Sequence, residues 1–129
     1  MIDAYADQEF LYDPDAGVVG DCWRACIANL TGRPLAQVPH FVRDYGDEWL
    51  TQTALWVRAE IGMELKVDTD PRFPFAPGDS ALVIFAGPSP RGVLHGVLGD
   101  RDGNTVHDPH PSRAGVLSIE GVFFLAAPS

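Results

Sequence analysis

The sequence predicts an α+β domain in which N-terminal helices pack on an antiparallel β-sheet. Between residues 21 and 60 apolar side chains recur at helical spacing, whereas after residue 63 they alternate or run together as in strands. Asp102-Gly103 stands between two of the strand-like runs and is a strong hairpin signal, so neighbouring strands are expected to be antiparallel. The 129 residues are 46% hydrophobic and 21% charged, which suits one domain over residues 1–129 and argues against disorder.

The first twenty residues read as loop. Within them Asp13-Pro14-Asp15-Ala16-Gly17 has the residues of a turn. A helix is predicted from Asp21, a good N-cap, with Trp23, Ile27 and Leu30 on one face and Gly32 and Pro34 ending it. Leu35 to Val38 forms one short turn before Pro39. The next helix is predicted over Asp47 to Glu60, with Trp49, Leu50, Thr53, Leu55, Trp56 and Ala59 as its apolar positions and Gly62 as its stop. Met63 to Val67 then alternates as a short strand, and a proline-rich connection runs from Pro71 to Gly78. Ala81 to Ala86 is a continuous apolar run suited to a buried strand, broken by Gly87 to Gly92. Leu94 to Gly99 and Thr105 to Asp108 flank the hairpin turn, and Gly121 to Leu125 supplies the last strand.

Charge and cysteine content narrow the function. Eighteen acids against nine bases give a formal charge of −9, which repels phosphate backbones and anionic lipid. Nucleic acid and membrane are therefore poor partners. No apolar window nears the ~20 residues of a membrane span. The acidic amino end, MIDAYADQEFLYD, lacks the pattern of a secretory signal. Cys22 and Cys26 are the only cysteines, too few for a disulfide framework, and a reducing cytoplasmic location is the simplest expectation.

Three residues carry candidate chemistry. Cys22 is expected at the first turn of a helix, where free amide N–H groups and the helix dipole lower a thiol pKa, although Asp21 opposes this. Cys26, one turn deeper, is expected to pack. His95 opens an apolar strand beside Gly96, and Asp108 ends the partner strand in His107-Asp108-Pro109-His110. A two-residue Asp102-Gly103 loop pairs Arg101 with Asn104, and hence Val97 with Asp108. His95 and Asp108 then share a face as diagonal neighbours, while His107 points away. A three-residue loop, or a bulge, would reverse that parity. Cys22, His95 and Asp108 together form a nucleophile, base and orienting acid.

The run Asp21-Cys22-Trp23-Arg24-Ala25-Cys26, the later His95 strand and Asp108-Pro109 resemble the papain-like cysteine peptidase superfamily. The resemblance is greatest to the branch around the bacteriocin-processing (C39-like) peptidases and spans about Gly20 to Pro109. Gly32 to Phe41 is also similar to short phage-encoded and bacterial proteins of this kind. The resemblance implies a papain-like fold and a cysteine hydrolase, needing no cofactor, that acts on a peptide, protein or small acyl or amide substrate. It implies Cys22 as nucleophile, His95 as general base and acid, and Asp108 as orienter. It further implies an oxyanion-donating glutamine six residues before the cysteine, where this chain has Ala16. The candidate donors are therefore the Cys22 backbone N–H and Gln8, the only glutamine upstream.

Two other readings compete. A metal-dependent hydrolase would use His95, His107 and His110, although strand alternation separates His107 from its neighbour. A weak or inactive papain-like module would bind or inhibit a basic partner through the acidic surface. His40, between Pro39 and Phe41, is expected to cap or pack a turn. The three tryptophans are expected in the core or a cleft wall.

Overall fold

The computed structural model describes residues 5–128. Three helices come first: α1 (Cys22–Thr31), α2 (Phe41–Tyr45) and α3 (Trp49–Ile61). Five strands follow: β1 (Glu64–Asp68), β2 (Leu82–Pro88), β3 (Leu94–Asp100), β4 (Thr105–His107) and β5 (Gly121–Ala126). They form one antiparallel sheet in the order β1-β5-β2-β3-β4. The α+β class and the helices-first order are as expected. No helix among the described residues is long and apolar enough to cross a membrane.

α1 stops at Gly32, whose φ of 70° is left-handed. It buries the expected Trp23, Ile27 and Leu30 together with Ala25, Cys26 and Ala28. Each large side chain so buried contributes ~1.5–3 kcal/mol. Asp21 occupies the N-cap position but makes no side-chain cap. Its buried carboxylate turns away, accepting the Phe10 N–H at 2.7 Å and an Arg24 guanidinium N–H at 3.2 Å. The Asp21 N–H returns a bond to the Phe10 carbonyl at 3.2 Å. The N-terminal segment is thereby stitched to the start of α1.

The second predicted helix begins later than expected, because Gly46–Glu48 form a 3₁₀ turn ahead of α3. Its buried stripe is Thr53 and Val57; Leu55 and Ala59, expected inside, are exposed. Leu55 stands two residues from each of the buried pair, which on a helix is nearly the opposite side. The Thr53 hydroxyl accepts the Trp23 indole N–H at 3.0 Å and donates to the Trp49 carbonyl at 2.6 Å. α2 was not expected. His40 caps it, its Nδ1 accepting the Arg43 N–H at 3.3 Å while its Nε2 bonds the Val19 carbonyl at 3.0 Å.

β2 is apolar throughout because both faces of the sheet are covered. Ile84, Leu98, Phe123 and Leu125 pack against α1 and its neighbours. Val83, Phe85, Val97, Val122 and Phe124 pack on the other face with Phe75 from the proline-rich connection. The strand also outlasts the expected break, since Gly87 and Pro88 still pair with His95 and Leu94.

The β3–β4 hairpin departs from expectation twice. Its loop holds three residues, Arg101, Asp102 and Gly103, because Asp100 pairs with Asn104 through an N–H···O bond of 2.9 Å. Gly103 takes a φ of 93°, which glycine alone adopts without strain. The Asp100 carboxylate rounds off the turn by accepting the N–H groups of Asp102 and Asn104 at 3.0 and 2.9 Å. Beyond the turn Gly99 pairs with Thr105 but Leu98 pairs with His107, leaving Val106 as the extra residue of a bulge. The longer loop shifts the register by one residue and the bulge shifts it back.

Candidate active site

With the register restored, Asp108 leaves the end of β4 on the side of His95. The His95 Nε2 lies 2.6 Å from the Asp108 Oδ1, and both side chains are buried. Asp108 is fully engaged: Oδ1 also accepts the His110 N–H at 2.9 Å, and Oδ2 accepts the Gly115 N–H at 2.7 Å. Burial pushes its pKa up, but the bonds from His95 and the two backbone N–H groups outweigh this and hold the carboxyl below its ordinary value. An ionised carboxylate only accepts, so the His95 proton sits on Nε2 and Nδ1 is left as the basic nitrogen. His107 points away, bonding Asp7 Oδ1 at 2.9 Å.

Cys22 opens α1 and borders the same cavity as His95, a cleft of about 900 Å³. The backbone N–H groups of Gly96 and Trp23 favour its thiolate form, and the Gly96 N–H belongs to β3 one residue past His95. The expected lowering of its pKa does not occur. Burial pushes the Cys22 thiol up, the two N–H groups offset this only in part, and the Asp21 and Asp108 carboxylates add to the rise. Among the described residues no hydrogen bond joins the sulfur to the His95 ring. Cys26 is fully buried, its thiol pushed well above the ordinary value, and it packs against β3 as expected. Both cysteines are free thiols.

Gln8, remote in sequence from Cys22, also lines the cavity. Its backbone N–H donates to the Pro109 carbonyl at 3.1 Å, and its Nε2 donates to the Phe10 carbonyl at 2.8 Å. One Nε2 hydrogen remains for another acceptor. The Gln8 Oε1 is buried without a partner among the described residues. Ala16, six residues before Cys22, sits exposed in the turn and does not border the cavity. The Cys22 backbone N–H, as the first of a helix, has no intrahelical acceptor.

The cavity wall is largely aromatic and aliphatic. Trp23, Trp49 and Phe123 contribute, with Trp23 edge-on to both of the others at centroid distances of 5.0 and 4.7 Å. Trp56 lies elsewhere, against Phe41 at 5.8 Å. The three histidines of the metal alternative do not converge: His95 bonds Asp108, His107 bonds Asp7 and His110 bonds Ser112. Among the described residues no group of three or more His, Cys, Asp or Glu side chains could hold a metal ion. Sequence reasoning missed Arg91, which lines the cavity. A lone base between Pro90 and Gly92, in the loop that leads into the His95 strand, was the signal for it. The chain matches no protein-family model, no curated protein and no solved structure.

Proposed function

We propose that this protein is a papain-like cysteine hydrolase that cleaves a peptide, amide or related acyl bond. The observation that carries the reading is the buried His95–Asp108 pair at 2.6 Å, with its basic Nδ1 left over, beside a cavity that also contains Cys22. In this mechanism the resting nucleophile is a neutral thiol, because burial disfavours the thiolate. On substrate binding the thiol proton passes to His95 Nδ1 as Sγ forms a bond to the carbonyl carbon. Asp108 stabilises the resulting imidazolium. The carbonyl oxygen, now an oxyanion, takes the Cys22 backbone N–H and the spare Gln8 Nε2 hydrogen. Collapse of the adduct breaks the bond to the leaving group, which receives the proton from His95. Water, deprotonated by the same nitrogen, then cleaves the thioester and restores the thiol.

Two unpaired cysteines suit a reducing, cytoplasmic setting. The surplus of acids suits a peptide, protein or small acyl substrate better than nucleic acid or a lipid surface. A non-catalytic binding module on the same fold is the second reading, favoured by the raised thiol pKa.

An acylating activity-based probe, with the labelled peptide found by mass spectrometry, separates the two. The hydrolase reading expects Cys22 to be acylated, Cys26 to stay unmodified, and Cys22→Ser to abolish labelling and turnover with the fold intact. Equal modification of both cysteines, or none of either, would leave the binding module.

A further inference from the structure

Beside the His95–Asp108 pair lies a second set of polar groups that the mechanism above does not use. His110 lines the cavity, its ring nearly perpendicular to that of His95 at a centroid distance of 6.1 Å. Its main chain is fixed by the N–H bond to Asp108 Oδ1 at 2.9 Å. Its Nδ1 accepts the Ser112 N–H at 3.0 Å and lies 2.9 Å from the Ser112 hydroxyl. That hydroxyl oxygen already accepts an Arg91 guanidinium N–H at 3.0 Å and the Ala114 N–H at 3.3 Å. Its own hydrogen is therefore the one that points at His110. An Nδ1 that accepts two donors is unprotonated, so the neutral ring carries its hydrogen on Nε2. Burial, with Arg91 and His95 nearby, lowers the His110 pKa and keeps it in this form. His110 is thus a fixed N–H donor, and its Nε2 has no partner among the described residues.

Arg91 makes no ion pair among the described residues. Arg24, Arg43 and Arg113 each bond a carboxylate, whereas Arg91 bonds only the neutral Ser112 hydroxyl among the described residues. Among the described residues it is the only Lys or Arg lining the cavity, in a chain of net charge −9. The one carboxylate lining the cavity among the described residues, Glu120, stands just before β5, which pairs with β2 on the side away from β3. A guanidinium with free donors and a fixed imidazole N–H therefore lie together at the His95 end of an otherwise apolar cleft. Paired donors of this kind match a carboxylate.

Their position also says which part of the substrate they meet. His95 must reach the departing atom to protonate it, so the leaving fragment lies against His95 and the groups next to it. Cys22 bonds the acyl carbon, so the acyl part lies on its side of the scissile bond. We propose that Arg91 and His110 form a subsite for a free carboxylate on the leaving fragment, so that the substrate is an N-acyl amino acid or the C-terminal residue of a peptide. This inference rests on the cysteine hydrolase reading.

Iodoacetylglycine and its neutral counterpart iodoacetylglycinamide test it, since both alkylate thiols and differ only in the terminal charge. The rate of modification at Cys22 is followed by peptide mass spectrometry on the native and the urea-denatured chain. The subsite predicts an acid-to-amide rate ratio about tenfold higher at native Cys22 than on the denatured chain, as one charge-assisted contact of ~1.4 kcal/mol gives. Arg91→Gln should return the ratio to the denatured value. Arg58→Gln, the same charge change on α3 away from the cavity, should keep the native ratio. Equal ratios in the wild type and Arg91→Gln overturn the subsite. If the amide reagent still modifies Cys22 faster than Cys26, the hydrolase reading survives that loss. If neither reagent distinguishes the two thiols, the hydrolase reading falls and the subsite with it.

Discussion

Phe10 and Asp21 are bonded in both directions, the Phe10 N–H to the Asp21 carboxylate and the Asp21 N–H to the Phe10 carbonyl, at 2.7 and 3.2 Å. The Phe10 carbonyl also takes the Gln8 side chain, so this pair holds Gln8 at the cavity that Cys22 also lines. Asp21→Ala leaves the Phe10 N–H and the Arg24 guanidinium short of an acceptor, at a cost of ~1–3 kcal/mol. Urea unfolding should show that loss, and turnover should fall further than stability because Gln8 is released. An unchanged unfolding midpoint would contradict the stitching role.

Gln8→Ala isolates the oxyanion contribution. Removal of one such donor costs about 10²–10³ in kcat. The Gln8 side chain keeps an unpaired buried Oε1, so its loss should barely alter the melting temperature. Turnover equal to the wild type would remove Gln8 from the mechanism and leave only the Cys22 N–H.

Asp108→Asn and His107→Ala should part sharply. The Asp108 carboxylate receives three donors, and an amide can offer its oxygen to only one side of that set. Asn therefore loses both the imidazolium partner and a backbone acceptor. Activity should drop by orders of magnitude, as loss of a charged orienter does, with stability lower by ~1–3 kcal/mol. His107→Ala gives up a bond to the exposed Asp7 and a ring contact with Tyr5, and should stay within ~1 kcal/mol of the wild type and near full activity. Loss of labelling in His107→Ala with labelling kept in Asp108→Asn would reverse the assignment.

The raised Cys22 pKa fixes the direction of a pH profile. The thiolate forms later than on the unfolded chain, so alkylation by iodoacetamide should still be climbing above pH ~8.5, the ordinary thiol value. By linkage the folded state holds that proton more tightly, so its stabilising effect is complete below the unfolded pKa and lost as pH rises through the folded one. Asp108 has the opposite sign: its lowered pKa stabilises the fold above the unfolded carboxyl value, and that stabilisation is lost as pH falls through the folded one. A labelling rate already flat at pH ~7 would mean a thiolate stabilised at rest, contrary to the raised thiol pKa described above.

Periodicity located most elements, because apolar spacing is a local property of the chain. It put α1 and the five strands within a few residues of their bounds. It misjudged α3, where Leu55 and Val57 are equally apolar and only the position of the sheet decides which is buried. The hairpin shows a different limit. Asp102-Gly103 does signal a turn, but Asp100 captures the backbone with its own carboxylate and lengthens the loop, and the Val106 bulge then restores the parity. His95 and Asp108 met as expected, by way of two departures that cancel. Alternation could not have foreseen either. Gln8 reaches the cavity through long-range bonds that no spacing rule encodes. The Cys22 pKa depends on how deeply the helix end is buried, which helix position alone does not determine.

Thr53 settles the indole N–H of Trp23, and this gives the protein a built-in optical probe. With its polar edge turned into the protein, Trp23 presents only its ring to the cleft, and Trp49 joins it there while Trp56 stays outside. Two of the three tryptophans therefore share whatever fills the space next to Cys22. Occupants that displace water from those rings should shift their emission to shorter wavelength, whether or not any bond is cleaved. Thr53→Val would free the indole to rotate and blur that signal before it altered the chemistry.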